Sequence, residues 1–266
     1  MRILSLNAWG GALADRLLPW LAAADPDVLC LQEVVHTPRA QKAVLTYRDG
    51  AHVLPQRANL FAEVSAALAD HVAVFCPAAE GVLYDGEAAV ASQWGLATFV
   101  RRAFPVIGQA QGFVHKDFSP DGYGAHPRPR SAHVVRLHDA AGGRAVTIGQ
   151  MHGLRDLAGK HDTPARRVQA ERFAALLAGV VQGGDARVLC GDFNVEPGSE
   201  TLRILEGLGM VELVTARGLP GTRTALYPKP GRFADYMLVD AGRADAPFEV
   251  VRAPEVSDHC PLLLTL

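Results

Sequence analysis

The chain has almost no net charge, with 26 lysines and arginines against 28 aspartates and glutamates over 266 residues and a formal balance of -2. That balance gives no sign of a generic nucleic-acid binder, although a local basic patch can still steer a phosphorylated ligand. Cysteine is scarce: Cys30, Cys76, Cys190 and Cys260 show no CxxC spacing, and Cys30 and Cys190 sit inside apolar runs, so buried free thiols are expected. No apolar stretch approaches the roughly 20 residues a membrane span needs, and residues 1–6 are too short for a signal-peptide core. A soluble protein of the reducing cytoplasm, without stable membrane association, is the expectation.

What the chain has in quantity is apolar material, 49% of its residues, ample for a buried core. β-rich runs are predicted at 2–6, 28–31, 72–75, 96–100, 133–137, 145–150, 187–190, 236–239, 248–252 and 262–266. Helices fall between some of them. The clearest starts at Thr163-Pro164, a cap followed by a first-turn proline, and places Phe173, Leu176, Leu177 and Val180 on one face. Others are predicted over 56–70, near 12–24 and after Ser199, while 115–131 reads as a loop rich in glycine and proline. Interleaved strands and helices imply an α/β layered architecture, and with no repeat or linker, residues 1–266 read as a single domain.

Small polar clusters close several of these runs: Asn7, Gln32-Glu33, Met151-His152, Gly191-Asp192-Phe193-Asn194, Asp235-Tyr236 and Ser257-Asp258-His259. Each alone is an ordinary turn or strand-edge signal. Together they bring carboxylates, carboxamides and imidazoles from both ends of the chain toward one sheet edge. Phosphate-ester hydrolysis needs that mixture. A single acid or base supplies about 10²- to 10⁴-fold, so most of the barrier reduction must come from positioning and from neutralising charge on the phosphoryl oxygens. Carboxylates suit a hard divalent cation, and imidazole exchanges a proton near neutral pH.

Leu6-Asn7-Ala8-Trp9-Gly10, Leu31-Gln32-Glu33-Val34, Met151-His152-Gly153, Gly191-Asp192-Phe193-Asn194, Phe233-Ala234-Asp235-Tyr236 and Ser257-Asp258-His259-Cys260-Pro261, in that order, resemble the endonuclease/exonuclease/phosphatase superfamily of deoxyribonuclease-I-like phosphohydrolases. The resemblance implies a four-layer sandwich, two mixed β-sheets face to face with helices outside. It also implies Mg²⁺ or Mn²⁺ held by Glu33, with Asn7 and Asp258 nearby. By the same resemblance Asp192 orients and deprotonates the attacking water, Asn194 positions the phosphate or the nucleophile, and His259 handles a proton with Asp235 as its partner. His152 donates to a phosphate oxygen. At that position abasic-site endonucleases generally carry asparagine, which weighs against a dedicated DNA-repair role.

Arg128 and Arg130 in the loop, Arg166 at the helix start and Arg223 before Asp235 are candidates for gripping substrate phosphate; solvated surface residues are the alternative, above all for Arg166 and Arg167. Trp9, beside Asn7, leans toward the pocket. The expected activity is a metal-dependent phosphodiesterase, nuclease action being one version, with nucleic acid or nucleotide among the candidate substrates. A phosphomonoesterase, a lipid phosphodiesterase inserting Phe113, Phe118 and Tyr123, and a non-catalytic binding protein of the same fold are the alternatives.

Overall fold

The computed structural model describes residues 1–266. In chain order the elements are β1 (Arg2–Asn7), α1 (Ala14–Ala24), β2 (Val28–His36), β3 (Val44–Asp49), β4 (His52–Arg57), α2 (Leu60–Ala67), β5 (His71–Asp85), β6 (Ala88–Arg101), β7 (Val106–His115), β8 (Arg130–Asp139) and β9 (Arg144–His152). There follow α3 (Pro164–Ala178), β10 (Ala186–Asp192), α4 (Glu200–Glu206), β11 (Met210–Glu212), α5 (Leu213–Ala216), β12 (Asp235–Asp240), β13 (Phe248–Val250) and β14 (Leu262–Thr265). An eight-stranded sheet runs β13-β14-β1-β2-β6-β5-β3-β4, and a six-stranded sheet runs β11-β12-β10-β9-β8-β7. Both are mixed: β1 is parallel to β2 and β9 to β10, while the other pairs are antiparallel.

Strand periodicity decides which layer each residue joins. Ile3, Val28, Cys30 and Val100 point between the sheets and pack with Val135, Ile148, Val188 and Met237 of the six-stranded sheet. Their neighbours Leu4, Leu29, Leu31 and Phe99 point the other way, onto Leu17, Leu21, Leu60 and Val64 of α1 and α2. A one-residue slip would exchange the two sets, so burial on both faces fixes the register. The helix α3 covers the outer face of β7, β8 and β9. The result is the α/β sandwich of two facing mixed sheets.

The α3 start is capped as expected, with Thr163 Oγ1 accepting the Arg166 N–H at 3.3 Å and Pro164 in the first turn. Val180 lies just past the helix end but still joins the core. The helix expected over 56–70 is shorter. His52–Arg57 is instead the second strand of a hairpin with β3, and the helix begins only after Asn59, whose Oδ1 accepts from Ala62 N–H. The expected loop over 115–131 gives up His115 to the end of β7, and Arg130 and Ser131 to the start of β8. Tyr123 is buried against Tyr47, with ring centroids 5.7 Å apart, so Phe113, Phe118 and Tyr123 do not make an exposed apolar hairpin. No helix is long and apolar enough to cross a membrane.

The space between the sheets is not wholly apolar. Gln32 Nε2 donates to Gln150 Oε1 at 2.9 Å, Gln150 Nε2 donates to Thr98 Oγ1 at 2.8 Å, and Thr98 Oγ1 lies 2.7 Å from His133 Nδ1. Burial pushes the His133 imidazole down to about 4. This buried seam ties the two sheets together beneath the strand ends described next.

Candidate active site

The pairing of β9, β10 and β12 sets Asp192 opposite His152 on one side and Asp235 on the other, so three side chains of the site share one row of the six-stranded sheet. Across the sandwich, Asn7 ends β1 and pairs with Gln32. Two glycines allow the close approach. A Cβ on Gly191, whose φ is 132°, would lie 2.1 Å from the Met151 carbonyl oxygen, and one on Gly153 would lie 2.2 Å from that of Phe193. Glu33 sits where the β2–β6 register shifts between Leu31 and Val34, at φ 55°; Asn194 at φ 53° and Trp9 at φ 49° are left-handed too. Non-glycine residues hold such conformations only where the surroundings over-determine them, and they cluster at functional sites.

A dense set of hydrogen bonds joins one part of the site. His259 Nδ1 lies 2.8 Å from both carboxylate oxygens of Asp235, which sits behind it. Asn7 Nδ2 donates to Asp192 Oδ2 at 3.0 Å, and the Asn194 N–H donates to Asp192 Oδ1 at 3.0 Å. Ser257 Oγ donates to the Asn7 carbonyl at 2.7 Å, fixing the C-terminal loop to β1. Arg223 Nη1 donates to Asp258 Oδ2 at 2.8 Å. Glu33 and Asp258 lie in the same cluster as Asp192 and His259: His152 Nε2 is 3.8 Å from both Glu33 and Asp192, and His259 Nε2 is 3.7 Å from both Asp192 and Asp258.

Opposed effects set the charges. Burial alone would raise the Asp192 carboxyl, but His259, His152, Arg223 and Lys160 outweigh it and hold the group well below the usual carboxylate range. Burial pushes His259 down, and the Asp235 carboxylate more than restores it, leaving the imidazole above its ordinary value. Glu33 is raised, first by burial and then by Asp258, against a lowering by His259. His152 is driven well below the ordinary value by burial and by Arg130.

A cavity of about 560 Å³ is lined by Glu33, Asp192, Asn194, Asp258, His259 and Arg223, among others. The structure separates the four candidate arginines. Arg223 lines this cavity, stacked at 4.2 Å on the Tyr227 ring. Arg130 is buried, donates only to the carbonyls of Gly153 and Pro129, and faces Glu33, with burial pushing it down to about 10. Arg128 is engaged by Asp49 at 2.6 Å and the Tyr47 hydroxyl at 2.7 Å. Arg166 corrects the expectation of a solvated surface residue. Its guanidinium is buried at the wall of the same cavity and donates to the carbonyls of His161, Gly159 and Leu154, so it clamps the loop before α3. Arg167, by contrast, is exposed and paired with Glu171 and Glu200.

The donor chemistry fits a hard divalent cation at Glu33 better than at the tightest acidic group. Ligand atoms of Asp192, Asp235 and His259 lie within 4.8 Å of one another, but both Asp235 oxygens face the His259 ring nitrogen, which makes these two a carboxylate–imidazole pair. Glu33 accepts no hydrogen bond from the protein, and Asp258 is a further carboxylate lining the same cavity. Mg²⁺ and Mn²⁺ favour such oxygen donors, keeping several waters on one or two protein carboxylates. The Asn7 Oδ1 accepts the Trp9 N–H at 3.0 Å, so the Asn7 side chain spends its bonds on shaping the site. Sequence reasoning missed Arg155 on the cavity wall, because its loop carries no motif of its own; Lys160, at the start of the run before α3 that the sequence offered as a substrate contact, lines the same wall.

Fold and site together define a two-sheet α/β protein whose strand ends gather carboxylates and imidazoles around one cavity. The chain belongs to the Endonuclease/Exonuclease/phosphatase family, whose model matches residues 4–259. Similar structures include a family member from Bacteroides vulgatus (17% identity, 99% of this chain and 97% of that one, TM-score 0.66). A mannosyl-6-phosphatase from Bacteroides thetaiotaomicron (15%, 100% and 98%, TM-score 0.64) and the human Nocturnin catalytic domain with bound sulfate (18%, 99% and 92%, TM-score 0.63) also share the fold. No curated protein matches the chain in sequence.

Proposed function

We propose that the chain is a divalent-metal-dependent phosphoester hydrolase in which water attacks phosphorus in line. The observation that carries this reading is the convergence of Glu33, Asp192, Asp258 and His259 around one cavity, linked with the buried His152 through successive separations of 3.7–3.8 Å. Asp192, kept ionised and fixed by Asn7 and Asn194, accepts a hydrogen bond from the attacking water and aligns its lone pair with phosphorus. His259, held charged by Asp235, presents Nε2 to the phosphoryl oxygens and offsets their growing charge. Arg130 and Arg223 add fixed positive charge. Glu33, with Asp258 in the same cluster, would hold Mg²⁺ or Mn²⁺, which would supply Lewis-acid stabilisation of the developing negative charge.

Membership in a family named for nucleases and phosphatases supports phosphoester chemistry, and similarity to a mannosyl-6-phosphatase supports monoesters as well as diesters as substrates. The test is a panel of DNA, RNA, nucleotides, phosphoinositides, sugar phosphates and choline phosphodiesters with Mg²⁺, Mn²⁺ or chelator. Turnover of at least one phosphoester that chelator abolishes is the expected result. A protein that binds such compounds but turns over none of them is a binding protein of this fold.

A further inference from the structure

A second cavity, of about 770 Å³, adjoins the first and shares Trp9, Glu33, Arg155 and Leu157 with it. A phosphate group fills little of that space, since cavities of roughly 300–1,000 Å³ take whole drug-sized ligands. Its walls come from the β3–β4 hairpin, from the tight turn after β1 and from Trp94 on β6. Three aromatic rings line it: Trp9, Tyr47 and Trp94.

Trp9 is 39% exposed at the junction of the two cavities, and its backbone is held at φ 49°, a conformation rare for a bulky residue. Asn7 Oδ1 pins its N–H, and a Cβ on the next residue, Gly10, would meet Gln56 Nε2 at 2.8 Å, so this turn is tightly specified. The effect is to present an indole face to the cavities instead of burying it.

The arginines of this wall are not all neutralised. Arg57 pairs with Glu63 at 2.8 Å and Arg128 with Asp49 at 2.6 Å. Arg130 donates only to backbone carbonyls, and Arg155, exposed on the wall common to both cavities, makes no ion pair. Free positive charge and an exposed ring therefore stand directly beside the carboxylate cluster.

From this we propose that the second cavity receives the organic half of the substrate, a ring-bearing phosphoester that carries a second anionic group, with the ring against Trp9 and the second anion on Arg155. The assignment rests on the hydrolase reading above. A nucleobase and a sugar both present a face that packs on indole, so nucleotides and sugar bisphosphates are the two sources of this chemistry.

The test is competitive inhibition of p-nitrophenyl phosphate or bis(p-nitrophenyl) phosphate hydrolysis, with calorimetric titration of the same compounds as a readout independent of turnover. The probes are adenosine 3′,5′-bisphosphate, adenosine 5′-monophosphate, glucose 1,6-bisphosphate, glucose 6-phosphate and the ring-free propane-1,3-diol bisphosphate. At least one ring bisphosphate should bind tenfold or more tightly than both its own monophosphate and the ring-free compound, and the adenosine and glucose arms identify the ring. Arg155→Ala should erase the advantage of the second phosphate. Trp9→Ala should erase that of the ring, and Trp9→Phe should retain it. Turnover without these preferences, or preferences unmoved by the variants, overturns the subsite alone. No turnover of any phosphoester with Mg²⁺ or Mn²⁺ overturns the hydrolase reading, and the substrate assignment with it.

Discussion

Asp192 and Glu33 are two carboxylates of one cavity, yet they are built in opposite ways. Asp192 is tied by Asn7 and Asn194, and its row neighbour Asp235 is tied to His259, so this part of the site is positioned by the protein's own hydrogen bonds. Glu33 accepts none, Arg130 meets only neutral carbonyls, and His152 Nε2 is buried without a partner. An unmet buried polar group costs about 1–3 kcal/mol, so the unbonded part carries a standing cost that a ligand from outside would relieve. Geometry is fixed by one set of residues, and capacity for ligands is kept by another.

Glu33→Gln should break that division most sharply. Turnover should fall about 10²- to 10⁴-fold, the range that loss of one charged catalytic contact produces. Stability should hold or rise slightly, because Glu33 anchors nothing and its carboxylate opposes those of Asp258 and Asp192. Asp192→Asn should lose comparable activity and also about 1–3 kcal/mol of stability, since the Asn7 and Asn194 donors lose a charged acceptor. Paired measurements of kcat/KM and of urea midpoints check both. Equal stability losses in the two variants would erase the contrast.

Asp235→Asn sharpens the comparison from the bonded side. Asp235 lies behind His259 and does not line the cavity, so it acts by orienting the ring and supporting its charge. Turnover should drop about 10- to 100-fold, less than for Asp192→Asn, with KM nearly unchanged. A loss as large as that of Asp192→Asn would place Asp235 among the groups that meet substrate.

Much of the bonded part was legible in the sequence because it sits at strand ends that apolar periodicity marks. Asn7, Asp192 and Asp235 each open or close such a run, and pairing of neighbouring strands then does the gathering. The second cavity was not legible. Its hairpin strands β3 and β4 are mostly exposed, carry Pro55 and alternate poorly, so no period-2 signal survives. Glu33 was nameable as a residue, but its outward turn depends on a register shift opposite β6, a property of two strands that no single segment displays. Arg166 misled for a related reason, because its partners are backbone carbonyls of a loop without sequence identity.

The polar seam under both parts offers a control that should move stability and leave turnover largely alone. His133 is neutral in the fold, with its imidazole pushed down to about 4 by burial, whereas an unfolded histidine protonates near 6.5. Between those values the unfolded chain binds the extra proton. Stability from this group is therefore complete above about 6.5 and is lost as pH falls toward about 4, by on the order of 3 kcal/mol. In His133→Gln, urea midpoints measured across that window should lose this part of the acid slope. An unchanged slope would assign it to other groups.

Arg166 and Arg167, adjacent in sequence, provide the smallest and most local comparison. Arg166→Ala should cost about 2–4 kcal/mol, since it strips charged donors from buried carbonyls and leaves a void under the loop that carries Arg155 and Lys160. Arg167→Ala should leave the melting temperature nearly unchanged, because its pairs with Glu171 and Glu200 are solvent-exposed and screened. Calorimetric melting of the two variants side by side decides it. The outcome matters for the site because the loop 154–161 forms the wall shared by both cavities: a stability loss confined to Arg166→Ala, with faster proteolysis at that loop, would identify the arginine as the clamp that holds the wall in place, whereas equal small losses would leave the loop held by its own chain path.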